Sequence, residues 1–156
     1  AIYGVRAEEV SRLTLDNIDW EREQISLRRE KNRMMQTYPL LPIVGDAVIR
    51  YIREVRPPSN RREIFLKFKP PYRPIHQWGV YFVTSKRIRS LGIHTPQKGS
   101  HALRHACAVH LLSRGLSMKE IADHLGHRSL TSTEIYAKVD LPSLREVARF
   151  DTGGLT

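Results

Sequence analysis

Gly99-Ser100-His101-Ala102-Leu103-Arg104-His105-Ala106-Cys107-Ala108-Val109-His110-Leu111-Leu112-Ser113-Arg114-Gly115 reads as one long helix that carries its own punctuation. Gly99-Ser100 leads into it, the helix runs His101–Ser113, and Gly115 closes it. Two residues on, Ser117 caps a second helix, Met118–Leu125, and Glu120 three residues later completes a capping box. Within the first helix His101 and Arg104 are three apart, so they project from one face, one turn from each other. Beyond the second helix come Leu125-Gly126-His127, with His127 23 residues past Arg104, and then Tyr136, nine residues past His127.

Working outward, Gln77 to about Leu91 reads as another helix, ended by Gly92. Residues 57–75 hold five prolines and many basic residues, which predicts a loop with one short apolar strand, Ile64–Leu66. Gly45-Asp46 opens a helix with Val44, Val48, Tyr51, Ile52 and Val55 on one side, stopped by Pro57-Pro58. Before it lie three extended segments, Asn17–Trp20, Gln24–Arg29 and Gln36–Leu41. Ile25 and Leu27 alternate with Gln24, Ser26 and Arg28 at period two, Pro39 suits an edge strand, and Pro42 ends it. Val5, Val10 and Leu13 give a short helical stripe at the front. Behind Leu125, a segment from Ser132 to about Ala137 carries Tyr136, and Pro142-Ser143 starts a short amphipathic helix to Phe150. The expected fold class is α+β, mostly helical, with a small three-stranded antiparallel sheet near the N-terminus.

The chain has 156 residues, enough for one domain with a real core. It carries 26 Lys and Arg against 16 Asp and Glu, a net charge of +10. That excess predicts a polyanionic partner, and nucleic acid rather than a membrane, because no stretch is apolar and long enough to span or anchor. Cys107 is the single cysteine, so no intrachain disulfide can form and a reducing cytosol is expected; in its apolar helix it reads as a packed thiol. His105 and His110 are assigned to helix packing and His124 to local hydrogen bonding, since no Cys, Asp or Glu falls into a metal-ligand pattern with them.

Basic residues grouped ahead of a tyrosine suggest chemistry on a phosphate, with the phenol as nucleophile. Arg104, and Arg6 at the front of the chain, are planar, permanently charged forks suited to non-bridging phosphate oxygens. By analogy with the loss of an oxyanion-hole donor, each would contribute on the order of 2.7–4 kcal/mol as charge grows on those oxygens. For Arg104, flanked by Leu103 and Ala106, a structural ion pair is the competing role. His101 brings an imidazole, the side chain suited to proton transfer or to a bond with the phosphate.

These residues closely resemble the tyrosine recombinases of the phage integrase family. The family's second box, H-x-L-R-H, a helix, L-G-H and a tyrosine nine residues later, matches His101, Arg104, His105, Leu125, Gly126, His127 and Tyr136. Tyr3-Gly4-Val5-Arg6-Ala7-Glu8-Glu9-Val10 stands where the family has T-G-x-R-x-x-E-[LV], and Lys31 falls in the strand turn that carries the family's lysine. The resemblance covers nearly the whole chain. It implies a catalytic set of Arg6, Lys31, His101, Arg104, His127 and Tyr136. In that set Tyr136 attacks phosphorus to leave a 3′-phosphotyrosyl bond, His127 donates to a non-bridging oxygen, and Lys31 protonates the leaving 5′-oxygen. Arg33 is the substitute for Lys31.

The resemblance also implies double-stranded DNA as partner and no metal or nucleotide cofactor, because the bond energy is kept in the phosphotyrosyl linkage. It implies a monomer without DNA, self-association on DNA into a tetrameric synapse, and a cytoplasmic, nucleoid-associated protein of bacterial or phage origin. Residues 141–156 are expected to form a C-terminal tail that, as the resemblance implies, docks on a neighbouring subunit, or else packs on its own domain. The chain is expected to be the catalytic domain of a longer protein, its first helix truncated and the family's N-terminal DNA-clamping domain missing.

Basic runs at Arg28-Arg29, Lys31, Arg33, Arg61-Arg62, Lys67-Phe68-Lys69 and Lys86-Arg87-Ile88-Arg89 are expected to track a DNA backbone, and the Gln77–Leu91 helix to bring Ser85, Lys86 and Arg89 to a groove. Two alternatives stand beside the enzyme. One is a non-catalytic helix-turn-helix DNA-binding protein, suggested by the Ser117–Ser129 stretch, which predicts that Arg6, Lys31, His101 and Tyr136 lie far apart. The other is an inactive recombinase relic. A type IB topoisomerase shares the chemistry, but the L-G-H box and short length favour a recombinase.

Overall fold

Helix α1, Ala7–Ser11, opens a run of short elements in the computed structural model, which describes residues 2–29, 34–95 and 98–126. A 3-10 turn at Leu15–Asn17 leads to β1 (Ile18–Asp19), β2 (Gln24–Arg28) and β3 (Met35–Pro39). Then come α2 (Pro42–Glu54), α3 (Gln77–Ser90), α4 (Ser100–Ser113) and α5 (Met118–Leu125). The expected α+β class holds. The chain divides into two compact units, residues 7–80 and residues 2–6 with those from Tyr81 onward.

In the 7–80 unit the three strands pair antiparallel in the order β1-β2-β3, the meander that the alternation predicts. Ile25 stands opposite Tyr38 and Ser26 opposite Thr37, whose hydroxyls lie 3.0 Å apart. Ile25, Leu27 and Tyr38 are buried and Gln24 and Arg28 exposed, so one face meets the core and the other faces water. Pro39 ends an edge strand, where its missing N–H leaves no ladder bond unmade.

Helix α2 begins three residues earlier than Gly45-Asp46 predicts. Pro42 does not merely stop the strand: it sits in the first turn, where a missing N–H costs nothing and its fixed φ suits a helix. Val48 and Gly45 are buried, whereas Val55, expected on the inner side, is 46% exposed. The expected strand at Ile64–Leu66 is not a strand. Only isolated bridges form there, Leu66 with Pro74 and, just before the stretch, Glu63 with Thr14, so no continuous ladder is built. Ile64 is nonetheless fully buried, its N–H bonded to the Leu13 carbonyl at 2.8 Å.

In the other unit α4 and α5 carry the core. Ala102, Ala106, Cys107, Ala108 and Val109 of α4 and Ile121, Ala122 and Leu125 of α5 are buried, with Leu111, Leu112, Leu116 and Met118 packed alongside. The capping box forms as expected: Ser117 Oγ accepts from the Glu120 N–H, and Glu120 Oε2 accepts from the Ser117 N–H at 2.7 Å. The Ser117 hydroxyl also donates to that carboxylate, which holds the Glu120 carboxyl below its usual range. The expected segments at Ser132–Ala137 and Pro142–Phe150 lie outside the described residues.

Candidate active site

Arg104 sits in the middle of α4, among small side chains that let neighbouring backbone come close. It is 6% exposed, and a buried guanidinium is tolerable only with partners. Its Nη1 donates to the Gly4 carbonyl at 2.5 Å and its Nη2 to the Leu125 carbonyl at 2.7 Å. Leu125 is the last residue of α5, where carbonyls lack intrahelical partners and the helix dipole gathers negative charge. Arg6 Nη2 donates to the next carbonyl, that of Gly126, at 3.3 Å. Two guanidinium groups far apart in sequence therefore converge on consecutive carbonyls at one helix end.

Glycine is required at both backbone anchors. Gly126 caps α5 in the left-handed region, at φ +65°. Gly4 has φ +57°, and a Cβ there would stand 2.4 Å from Leu125 Cδ2 and 3.1 Å from Cys107 Sγ. The Cys107 thiol, buried as expected, donates to the Ile2 carbonyl at 3.2 Å and holds the same N-terminal segment. The Tyr3-Gly4-Val5-Arg6 stretch is thus pinned on α4 and α5, and α1 starts only at Ala7, not at Val5 as its apolar stripe predicts.

His101 lies in the first turn of α4, exposed, one turn from Arg104. Lys31, its substitute Arg33, His127 and Tyr136 lie outside the described residues. The structure therefore brings Arg6 and Arg104 together, with His101 on the same helix as Arg104. His105 is buried, and burial lowers its pKa from the ordinary histidine value. His110, expected to pack, is instead exposed, because the buried stretch of α4 ends at Val109 and His110 lies in the helix's last turn. Among the described residues no group of three His, Cys, Asp or Glu side chains is placed to hold a metal ion. No helix among them is long and apolar enough to cross a membrane.

Two residues of the basic runs and the α3 helix, Arg29 and Ser85, depart from their expected roles. Arg29 is 1% exposed and cannot track a DNA backbone: its Nη1 pairs with Glu9 Oε2 at 2.8 Å, its Nε bonds Gln36 at 2.7 Å, and its Nη2 meets the Tyr38 hydroxyl. Sequence reasoning misses this buried pair. Its signal is present, since the alternation that puts Ile25 and Leu27 inside puts Arg29 on the same face. Arg62 pairs with Asp16 at the surface and stays exposed. Ser85 Oγ is shut away from solvent, so it cannot face a groove, whereas Lys86, Arg87 and Arg89 of α3 are exposed or partly so.

The profile of the phage integrase family matches residues 2–141. The y4gC integrase/recombinase of Sinorhizobium fredii is 36% identical over 149 residues, 95% of this chain and 77% of its own length. Tyrosine recombinase XerA of Thermococcus kodakarensis is 28% identical over 92% of this chain and 49% of its own; the chain spans about half the length of that relative. Among solved structures, the XerH site-specific recombinase bound to its palindromic difH substrate superposes with a TM-score of 0.73 at 22% identity, covering 96% of this chain and 42% of that one. The convergence of the two box arginines thus sits in a fold that these recombinases share, and the chain belongs to the phage integrase family.

Proposed function

We propose that this chain is the catalytic domain of a tyrosine-type site-specific recombinase, which cuts and rejoins double-stranded DNA through a 3′-phosphotyrosyl intermediate. The observation that carries the reading is the seating of Arg6 and Arg104 on the carbonyls of Leu125 and Gly126, immediately before His127. Such a pair is held in place before any substrate arrives, so no reorganisation is needed as charge develops on the phosphate.

In the proposed reaction the Tyr136 oxygen bonds to phosphorus and the bond from phosphorus to the 5′-oxygen breaks. The tyrosine proton passes to His101, and the leaving 5′-oxygen takes a proton from Lys31. Arg6, Arg104 and His127 hold the non-bridging oxygens. Attack by a second 5′-hydroxyl reverses the steps and releases Tyr136 with the strand rejoined. We assign the protein to the cytoplasm, at the nucleoid, and expect it to assemble on DNA as a tetramer. XerH is described with its DNA substrate in a post-cleavage complex, which supports DNA as the partner.

The test is covalent capture on a pool of nicked duplexes with randomised cores, read as detergent-resistant protein–DNA adduct. The wild-type chain is expected to form adduct, and Tyr136→Phe to form none while its DNA affinity stays nearly unchanged. Adduct retained by Tyr136→Phe sinks the nucleophile assignment. DNA binding without any wild-type adduct hands the case to a non-catalytic binder.

A further inference from the structure

Within the 7–80 unit the chain turns back on itself between Lys67 and Arg73. The Lys67 N–H donates to the Arg73 carbonyl at 2.8 Å and the Ile75 N–H to the Phe65 carbonyl at 2.9 Å, either side of the Leu66–Pro74 bridge. Lys67 and Arg73 therefore occupy opposed positions on the two arms, and both are exposed. Like charges directly opposite each other are destabilising. Among the described residues neither side chain forms an ion pair, although Arg12, Arg22, Arg29, Arg61 and Arg62 all do.

The same two cations line a cleft of about 470 Å³ together with Arg12, His76, Ser11 and Glu63. Glu63 is the single carboxylate in that lining, and it already has Arg61 at 4.0 Å. Arg12 is already paired with Glu8 at 2.7 Å, so the uncommitted positive charges of the cleft are the two opposed cations, Lys67 and Arg73. Their repulsion is relieved by an anion, and a phosphodiester offers oxygens to several donors at once. None of its lining residues belongs to the proposed catalytic set.

We propose that this cleft grips a backbone phosphate of duplex DNA as an anchoring site that takes no part in the chemistry. The inference rests on the reading of the chain as an enzyme acting on DNA. Every phosphate that a protein neutralises adds about 0.9 to the steepness of log affinity against log salt. The test is fluorescence anisotropy on a 30-base-pair duplex across a salt series. It compares the wild-type chain, the double variant Lys67→Gln/Arg73→Gln, and the charge-matched control Arg50→Gln/Arg53→Gln on exposed positions of α2.

The cleft variant is expected to bind about ten-fold more weakly at low salt, with a slope shallower by about one to two. The control should change neither by as much, and covalent adduct at saturating duplex should persist in the cleft variant. An unchanged slope, or an equal loss in the control, overturns the proposal, because the cations then act only through net charge. Loss of adduct at saturation overturns it as an anchoring site. If the wild-type chain binds duplex but forms no adduct, the recombinase reading fails while the slopes still judge the cleft.

Discussion

Arg104 shows how one side chain serves both stability and chemistry. Its two guanidinium nitrogens satisfy carbonyls from segments 100 and 21 residues away in sequence, so it ties the N-terminal segment to the end of α5. Arg104→Ala would strand two buried carbonyls, each costing about 1–3 kcal/mol. The expected outcome is destabilisation of about 2–6 kcal/mol in urea unfolding. Arg104→Lys should recover only part of it, since an ammonium lacks the fork that spans both acceptors. Full stability in Arg104→Ala would mean that the carbonyls reach water and that the side chain is free of this structural task. Arg6 and Arg104 are legible in the sequence through their spacing to Glu9, His101 and His105. Which carbonyls hold them is not, because backbone acceptors carry no side-chain signature. Arg28 and Arg29 read alike as letters, yet one is exposed and the other buried against Glu9, and only the strand period separates them.

At the scale of elements, legibility follows local chemistry. Helices α3, α4 and α5 are readable to within a residue or two because glycines and a capping box mark their ends. The start of α2 is not, because Pro42 serves a strand end and a helix start equally well. The Ile64–Leu66 stretch reads as a strand without being one, because apolar residues bury themselves with or without a ladder. Helix α4 also carries a pH dependence that follows from His105. Burial lowers its pKa below the ordinary histidine value, so in the folded chain the imidazole stays neutral where the unfolded chain binds a proton. The unfolded state then holds more protons, and stability rises with pH through that window. Stability is fully present above the unfolded value, near 6.5, and is lost as pH falls from there toward the folded value. The urea midpoint is expected to decline from pH 7 to pH 5, and His105→Gln to flatten that decline. An identical slope in the variant would assign the loss to other groups.

For the whole molecule the governing quantity is how much of its charge is free to meet a polyanion. The count of 26 Lys and Arg overstates the working surface, because Arg29 and Arg104 are buried and Arg12 and Arg62 are engaged with Glu8 and Asp16. What remains exposed includes Lys67, Arg73, Lys86, Arg87 and Arg89. If these cations contact phosphates, each releases condensed counterions, and affinity falls linearly with salt on logarithmic axes. With about four phosphates neutralised the slope is about −3.6, so binding should weaken more than ~100-fold between about 50 and 200 mM salt. The check is equilibrium binding to one duplex over that range, with the slope compared between the wild-type chain and Arg29→Gln. The buried Arg29 should leave the slope unchanged even as its removal lowers stability, because a residue whose charge is already paired with Glu9 releases no counterion. A flat salt response would deny the phosphate-tracking surface, and a shallower slope in Arg29→Gln would place that arginine on the DNA after all.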